Sequence, residues 1–101
     1  MKLIDVLKKA VQQEASDIHL TVGIEVMIRI NGRLEKLSSE KLSIADLEEF
    51  MAELLSEDEK REFEEQGEVD FAYHLDDYHF RVNAFQQQGN PAAALRILPG
   101  E

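Results

Sequence analysis

Two arginines, Arg81 and Arg96, are the side chains whose type and spacing could do chemistry together. In Phe80–Phe85 the apolar Phe80, Val82 and Ala84 alternate with Arg81 and Asn83; in Ala93–Leu98 the apolar Ala93, Leu95 and Ile97 alternate with Arg96. Strand side chains point to opposite faces with period two, so each run has a core face and an outer face carrying one arginine. Gln86–Pro91 lies between them, and its Gly89, Asn90 and Pro91 supply hairpin chemistry. A tight turn centred on Gln88–Gly89 sets the two arginines directly opposite each other; one centred on Gly89–Asn90 makes them diagonal neighbours. Either way they share a face. Adjacent guanidiniums repel unless something anionic joins them, and the arginine fork matches the oxygens of a phosphate. No acidic residue lies between Tyr78 and Gly100. The plainer alternative is two unrelated arginines on a solvated face, neutralised by glutamates from elsewhere in the fold. The pattern alone leaves both open.

The elements that must carry these arginines follow from periodicity. Leu3, Ile4, Leu7 and Val11 at helical spacing predict an amphipathic helix over Lys2–Glu14. Asp17–Val22 alternates, with Ile18, Leu20 and Val22 inward and Asp17, His19 and Thr21 outward. Val26, Ile28 and Ile30 alternate with Met27 and Arg29 up to Asn31-Gly32, a strong hairpin signal leading into Arg33–Leu37. Ser43-Ile44-Ala45-Asp46 opens a helix whose stripe is Ile44, Leu47, Phe50, Met51, Leu54 and Leu55. Ser56-Glu57-Asp58-Glu59 opens a second, charged helix that ends near Gly67, with Phe63 as its one large apolar anchor. Val69–Leu75 alternates again, and Asp76-Asp77 turns the chain into the arginine hairpin. The order is helix, three strands, two helices, three strands. Strands joined by tight turns are antiparallel, so the fold class is α+β, with helices packed on one face of an antiparallel sheet.

Composition excludes several classes of function. A chain of 101 residues suits one domain. It has no cysteine, hence no disulfide, thiolate metal site or cysteine nucleophile. No apolar run approaches the roughly 20 residues that span a bilayer. Met1–Lys9 has no signal core, because Asp5 and two lysines interrupt it, so a cytoplasmic protein is expected. A net charge of −10 argues against nucleic acid as a partner. Fifteen acidic residues from Glu40 to Asp77 face only Lys41, Lys60 and Arg61, so that stretch is a solvated acidic surface or a face for a basic partner. There is no G-x-x-x-x-G-K-[ST], no G-x-G-x-x-G and no H-E-x-x-H. His19 has only Asp17 as a nearby ligand, too few for zinc, so no metal site is expected. Ser16, Asp17 and His19 are sequence neighbours on one strand edge, without a nucleophile elbow. Taken alone, these residues contain no catalytic group.

Four segments then line up: Ala15-Ser16-Asp17-Ile18-His19-Leu20, Ile28-Arg29-Ile30-Asn31-Gly32-Arg33, Phe80-Arg81-Val82-Asn83-Ala84-Phe85 and Ala94-Leu95-Arg96-Ile97-Leu98-Pro99. In this order and spacing they resemble the N-terminal domain of the type IV pilus retraction ATPases of the PilT family, relatives of the GspE and PilB secretion ATPases. The resemblance covers the whole chain. Gly23-Ile24-Glu25-Val26 departs from it, since the family places prolines there. The resemblance implies a PAS-like N-domain, with a RecA-like ATPase domain following Leu98-Pro99-Gly100-Glu101 outside this chain, and a hexameric ring. It implies ATP and Mg in the parent protein and none bound by this domain alone. Nucleotide sits between the two domains, and arginines matching Arg81 and Arg96 reach toward its phosphates. Asp17, His19 and Thr21 are expected to contact a neighbouring motor domain, and Asn83 to orient Arg81. Implied partners are the chain's own and neighbouring RecA-like domains and a pilus platform protein of the inner membrane, with a cytoplasmic location peripheral to that membrane. The alternatives are a free-standing PAS-like sensor or interaction module, and the same domain on a pilus-extension or type II secretion ATPase. The short leader before Ala15 favours the retraction branch.

Overall fold

The computed structural model describes residues 1–99. Gly100 and Glu101, where the resemblance places the link to a motor domain, lie outside them. The expected order of elements holds: α1 (Leu3–Gln12), β1 (Asp17–Leu20), β2 (Glu25–Ile30), β3 (Arg33–Lys41), α2 (Ile44–Leu54), α3 (Glu57–Gln66), β4 (Glu68–Leu75), β5 (Tyr78–Gln87) and β6 (Asn90–Leu98). The six strands form one antiparallel sheet in the order β3-β2-β1-β6-β5-β4. Each half is a three-strand meander, because its turns are only a few residues long. The halves join where β1 pairs with β6.

One core lies under one face of the sheet. Ile18, Leu20, Val26, Ile28, Val69, Phe71, Phe80, Val82, Ala84, Ala93 and Leu95 point inward from the strands and meet α1 and α2. The α1 face is Leu3, Val6, Leu7 and Ala10, not the Leu3/Ile4/Leu7/Val11 stripe expected, and Ile4 is 38% exposed. Both stripes fit helical spacing from the same start. The observed one places small Ala10 against the core and leaves Val11 only partly buried at its margin. Ile44 likewise leaves the α2 stripe, being 49% exposed at the first helical position. β1 ends at Leu20, two residues short of the expected strand. β3 runs four residues past Leu37. Its only buried side chain is Leu37, since an edge strand with one half-covered face carries almost no apolar signal.

Local chemistry fixes the helix ends. Ser43 and Ser56 both form complete capping boxes, with Asp46 and Glu59 returning to the cap backbone. Gly67 ends α3 at φ 81, a left-handed conformation that glycine takes without a Cβ clash. The Ser43 backbone N–H donates to Asp46 Oδ2 at 2.9 Å. That bond, reinforced by the Ser43 hydroxyl, holds the Asp46 carboxyl below its ordinary value of 3.8. A lowered acid adds stability that is present above its unfolded value and is lost as pH falls through the folded one. Asp46→Asn therefore flattens the acid side of a plot of Tm against pH; an unchanged acid slope would show the box inactive. Phe80, fully buried beneath β5, is the test of the core. Phe80→Ala lowers the unfolding free energy in urea by about 3–5 kcal/mol.

Candidate functional site

The face of the sheet opposite the helices carries the arginines. β5 and β6 turn at Gln88–Gly89, whose φ angles of 54 and 81 are both left-handed, and the register runs Gln87↔Asn90 back to Arg81↔Arg96. Of the two possible turn centres the first is found, and the guanidiniums are directly opposite. The same row continues across the sheet: Asp17 pairs with Arg96 on one side and with Arg29 on the other. Four neighbouring strands thus contribute Arg81, Arg96, Asp17 and Arg29 in line, with one carboxylate among three guanidiniums.

The row is unevenly satisfied. Arg96 Nε donates to Asp17 Oδ1 at 3.5 Å, a long contact, while the Arg96 side chain remains 72% exposed. Asp17 Oδ2 accepts from Ser16 Oγ at 2.7 Å. Arg29 turns away to donate from Nη1 to the Gly32 carbonyl at 3.0 Å. Among the described residues no hydrogen bond or ion pair is made to the Arg81 guanidinium. The carboxylate that faces Arg96 comes from β1, 79 residues away in sequence, not from the acidic middle of the chain. It tethers Arg96 without burying it, and such exposed pairs are worth less than about 1 kcal/mol.

The row beside it explains Asn83. Its Nδ2 donates to Glu68 Oε1 at 3.3 Å and to Asp70 Oδ1 at 3.2 Å, so the amide is held by β4 carboxylates and is not bonded to Arg81. The expected orienting role is not what this contact does. Asp17, Asp70, Arg81, Asn83, Ala94 and Arg96 together line an open depression of about 200 Å³. That is below the roughly 300–1,000 Å³ of sites that enclose a small molecule. It has room for a phosphate-sized group over the arginines and leaves the rest of any larger ligand outside.

Asp17, His19 and Thr21 do not act as one unit. Asp17 belongs to the arginine row, and His19 lies one row on, opposite Met27 and Ala94. Thr21 lies beyond the end of β1, in a separate cleft with Gln87, Gln88 and Pro91. Two further pairings follow from hairpin arithmetic. A turn at Asp76-Asp77 makes Leu75 face Tyr78, which sets Asp70 against Asn83 and His74 against His79. The β1–β6 pairing that supplies Asp17 has no comparable local signal.

Directly opposed arginines repel, at a cost of about 0.2–1 kcal/mol for such a pair. Arg81→Thr therefore raises stability by a few tenths of a kcal/mol in low salt, and the gain shrinks as salt screens the charges. Arg96→Thr loses the Asp17 contact along with the repulsion and gives less. Chemical denaturation of both variants at two ionic strengths checks this; equal behaviour would mean that Asp17 does not distinguish the two arginines.

No family model matches the chain. Over 102 residues it is 29% identical to the type IV pilus retraction ATPase PilT of Pseudomonas aeruginosa, covering 100% of this chain and 30% of that protein. Over 100 residues it is 32% identical to the protein YggR of Escherichia coli, covering 98% of this chain and 30% of YggR. A crystal structure of the pilus retraction motor PilT with bound ADP superposes with a TM-score of 0.92 at 36% identity, covering 100% of this chain and 30% of that one. The matched part of PilT is its N-terminal region. The chain spans about 30% of the length of the curated relatives it matches.

Proposed function

We propose that this chain, matched along its whole length to the N-terminal region of PilT, is the regulatory and oligomer-forming N-domain of a hexameric ATPase that powers type IV pilus retraction. Its outer sheet face is the surface presented to nucleotide held by a RecA-like motor domain, its own or a neighbour's. Arg81 and Arg96 approach the phosphates of ATP, with Mg, when the domains close. The supporting observation is the direct opposition of two exposed guanidiniums, one of them unpaired, over a depression sized for a phosphate group and not for a nucleotide. A half-site of that kind needs a second surface to complete it. No helix of the described residues is long and apolar enough to cross a membrane, and attachment at the inner membrane is assigned to the pilus platform protein.

The guanidiniums lie at the edge of the nucleotide, where their charge is felt only after closure. They would report nucleotide state and offset charge developing on the transferred phosphoryl group, as arginine fingers do. Asp17 holds Arg96 on the sheet face until phosphate displaces it. His19 and Thr21 contribute to the contact with the neighbouring motor domain.

The test uses the protein that includes the motor domain. Arg81→Ala and Arg96→Ala each lower kcat for ATP hydrolysis by about tenfold or more, the lower end of what arginine fingers supply being larger still. Arg81→Lys keeps the charge but not the fork and recovers only part of the rate. Wild-type turnover in both alanine variants would sink the assignment. The present chain alone should hydrolyse no ATP.

A further inference from the structure

One row from Arg81 on the arginine face, next to the Asp76-Asp77 turn, β4 and β5 bring His74 and His79 into direct register. The rings stand edge to face with centroids 4.6 Å apart, and their Nδ1 atoms are in contact. This is independent of the nucleotide reading, and nothing in that reading uses it. We propose that His74 and His79 form a two-histidine site for a divalent late transition ion of the zinc, nickel or copper class.

The chemistry follows from where the nitrogens point. Two neutral imidazoles with Nδ1 against Nδ1 can satisfy each other only if one donates its proton and the other accepts. Once the donating ring carries its proton on Nε2 instead of Nδ1, exchanged through solvent, a metal ion can take both Nδ1 lone pairs at once, at about 2.0–2.1 Å each for zinc. Two such bonds need the nitrogens further apart than they now stand, so the rings must rotate apart to admit the ion. Imidazole nitrogen suits zinc, nickel and copper, and copper binds most tightly in the usual order of divalent ions. The strands already hold the two ligands side by side, so the second bond forms at high effective concentration. The overall charge of −10 favours a cation. Asp76 and Asp77 lie at the turn, with Asp76 reached by Lys8 at 3.7 Å. Arg81, two residues along β5, and Leu98, opposite His79 on β6, bound the other sides. Among the described residues no group of three ligands is assembled. The site therefore supplies two protein ligands and leaves the remaining positions to water or to a donor from another molecule. His74 is exposed and His79 half-buried, so an ion can reach both from solvent.

Isothermal titration of this chain with zinc chloride and with nickel chloride tests the proposal, alongside His74→Gln, His79→Gln and His19→Gln. His19, on β1, is the control, because it is the third histidine of the chain and sits away from the pair. One ion per chain is expected, with affinity lost by about tenfold or more in either member of the pair and retained in His19→Gln. Binding should weaken on acidification, since only the neutral imidazole binds the ion and binding releases protons. At a metal concentration a hundred times Kd, the folding equilibrium shifts about 100-fold toward the folded chain, read as a rise in Tm that the pair variants do not show. Absence of binding to the unaltered chain, or an equal loss in His19→Gln, overturns the site. Far-UV circular dichroism of each variant confirms that a loss is not unfolding.

Discussion

The continuity of the outer face, from Arg81 and Arg96 across to Asp17 and Arg29, depends on β1 pairing with β6. The two meanders could each form without it, since their strands are joined by short turns. Only the central pairing makes them one sheet and gives the helices one core to cover. Ile18 and Leu20 then stand beside Leu95 and Ala93 under the middle of the sheet, all buried. On the opposite side the same register brings Asp17 against Arg96. The apolar inner face stabilises the join, and the polar outer face inherits its geometry. A shift of one residue in that register would exchange the two sets, burying Asp17 and exposing Ile18. Burial of the inner face therefore specifies where the carboxylate of the outer face must sit.

That arrangement gives the two arginines different electrostatic surroundings although they are neighbours. Arg96 has a carboxylate on its far side, held in turn by Ser16. Arg81 has Arg96 on one side and Ala72 on the other, so nothing in its own row offsets its charge. The neighbouring row is acidic, but Glu68 and Asp70 are engaged with the Asn83 amide. Among the described residues one guanidinium of the pair is free and the other is tethered to Asp17.

Much of this was legible in the chain because it is written in short-range chemistry. The serine boxes at Ser43 and Ser56, the Asn31-Gly32 turn and the alternation on either side of Gly89 each involve residues within a few positions of one another. What alternation cannot reveal is which strand lies beside which, and the partner of Arg96 therefore came as a product of tertiary pairing. Ile4 against Val6 shows a second limit: two stripes fit one helix equally well, and only the packing of Ala10 decides. β3 shows a third: the expected strand stops at Leu37, and Ser38-Ser39-Glu40-Lys41 joins it without an apolar alternation to mark it. The resemblance in Ala15–Leu20 and Phe80–Phe85 pointed to the right fold without naming the contacts inside it.

The joining of the first strand to the last has a kinetic side. Contacts between residues nearly a chain length apart raise contact order, and loop-closure entropy must be met before they give anything back. During synthesis β1 emerges early and has no partner on one edge until β6 has left the ribosome. A polypeptide interrupted before Ala93 would present that strand's unpaired edge to solvent and to other chains. Sheet closure is in this sense a check on completeness, passed only when the arginine hairpin has arrived.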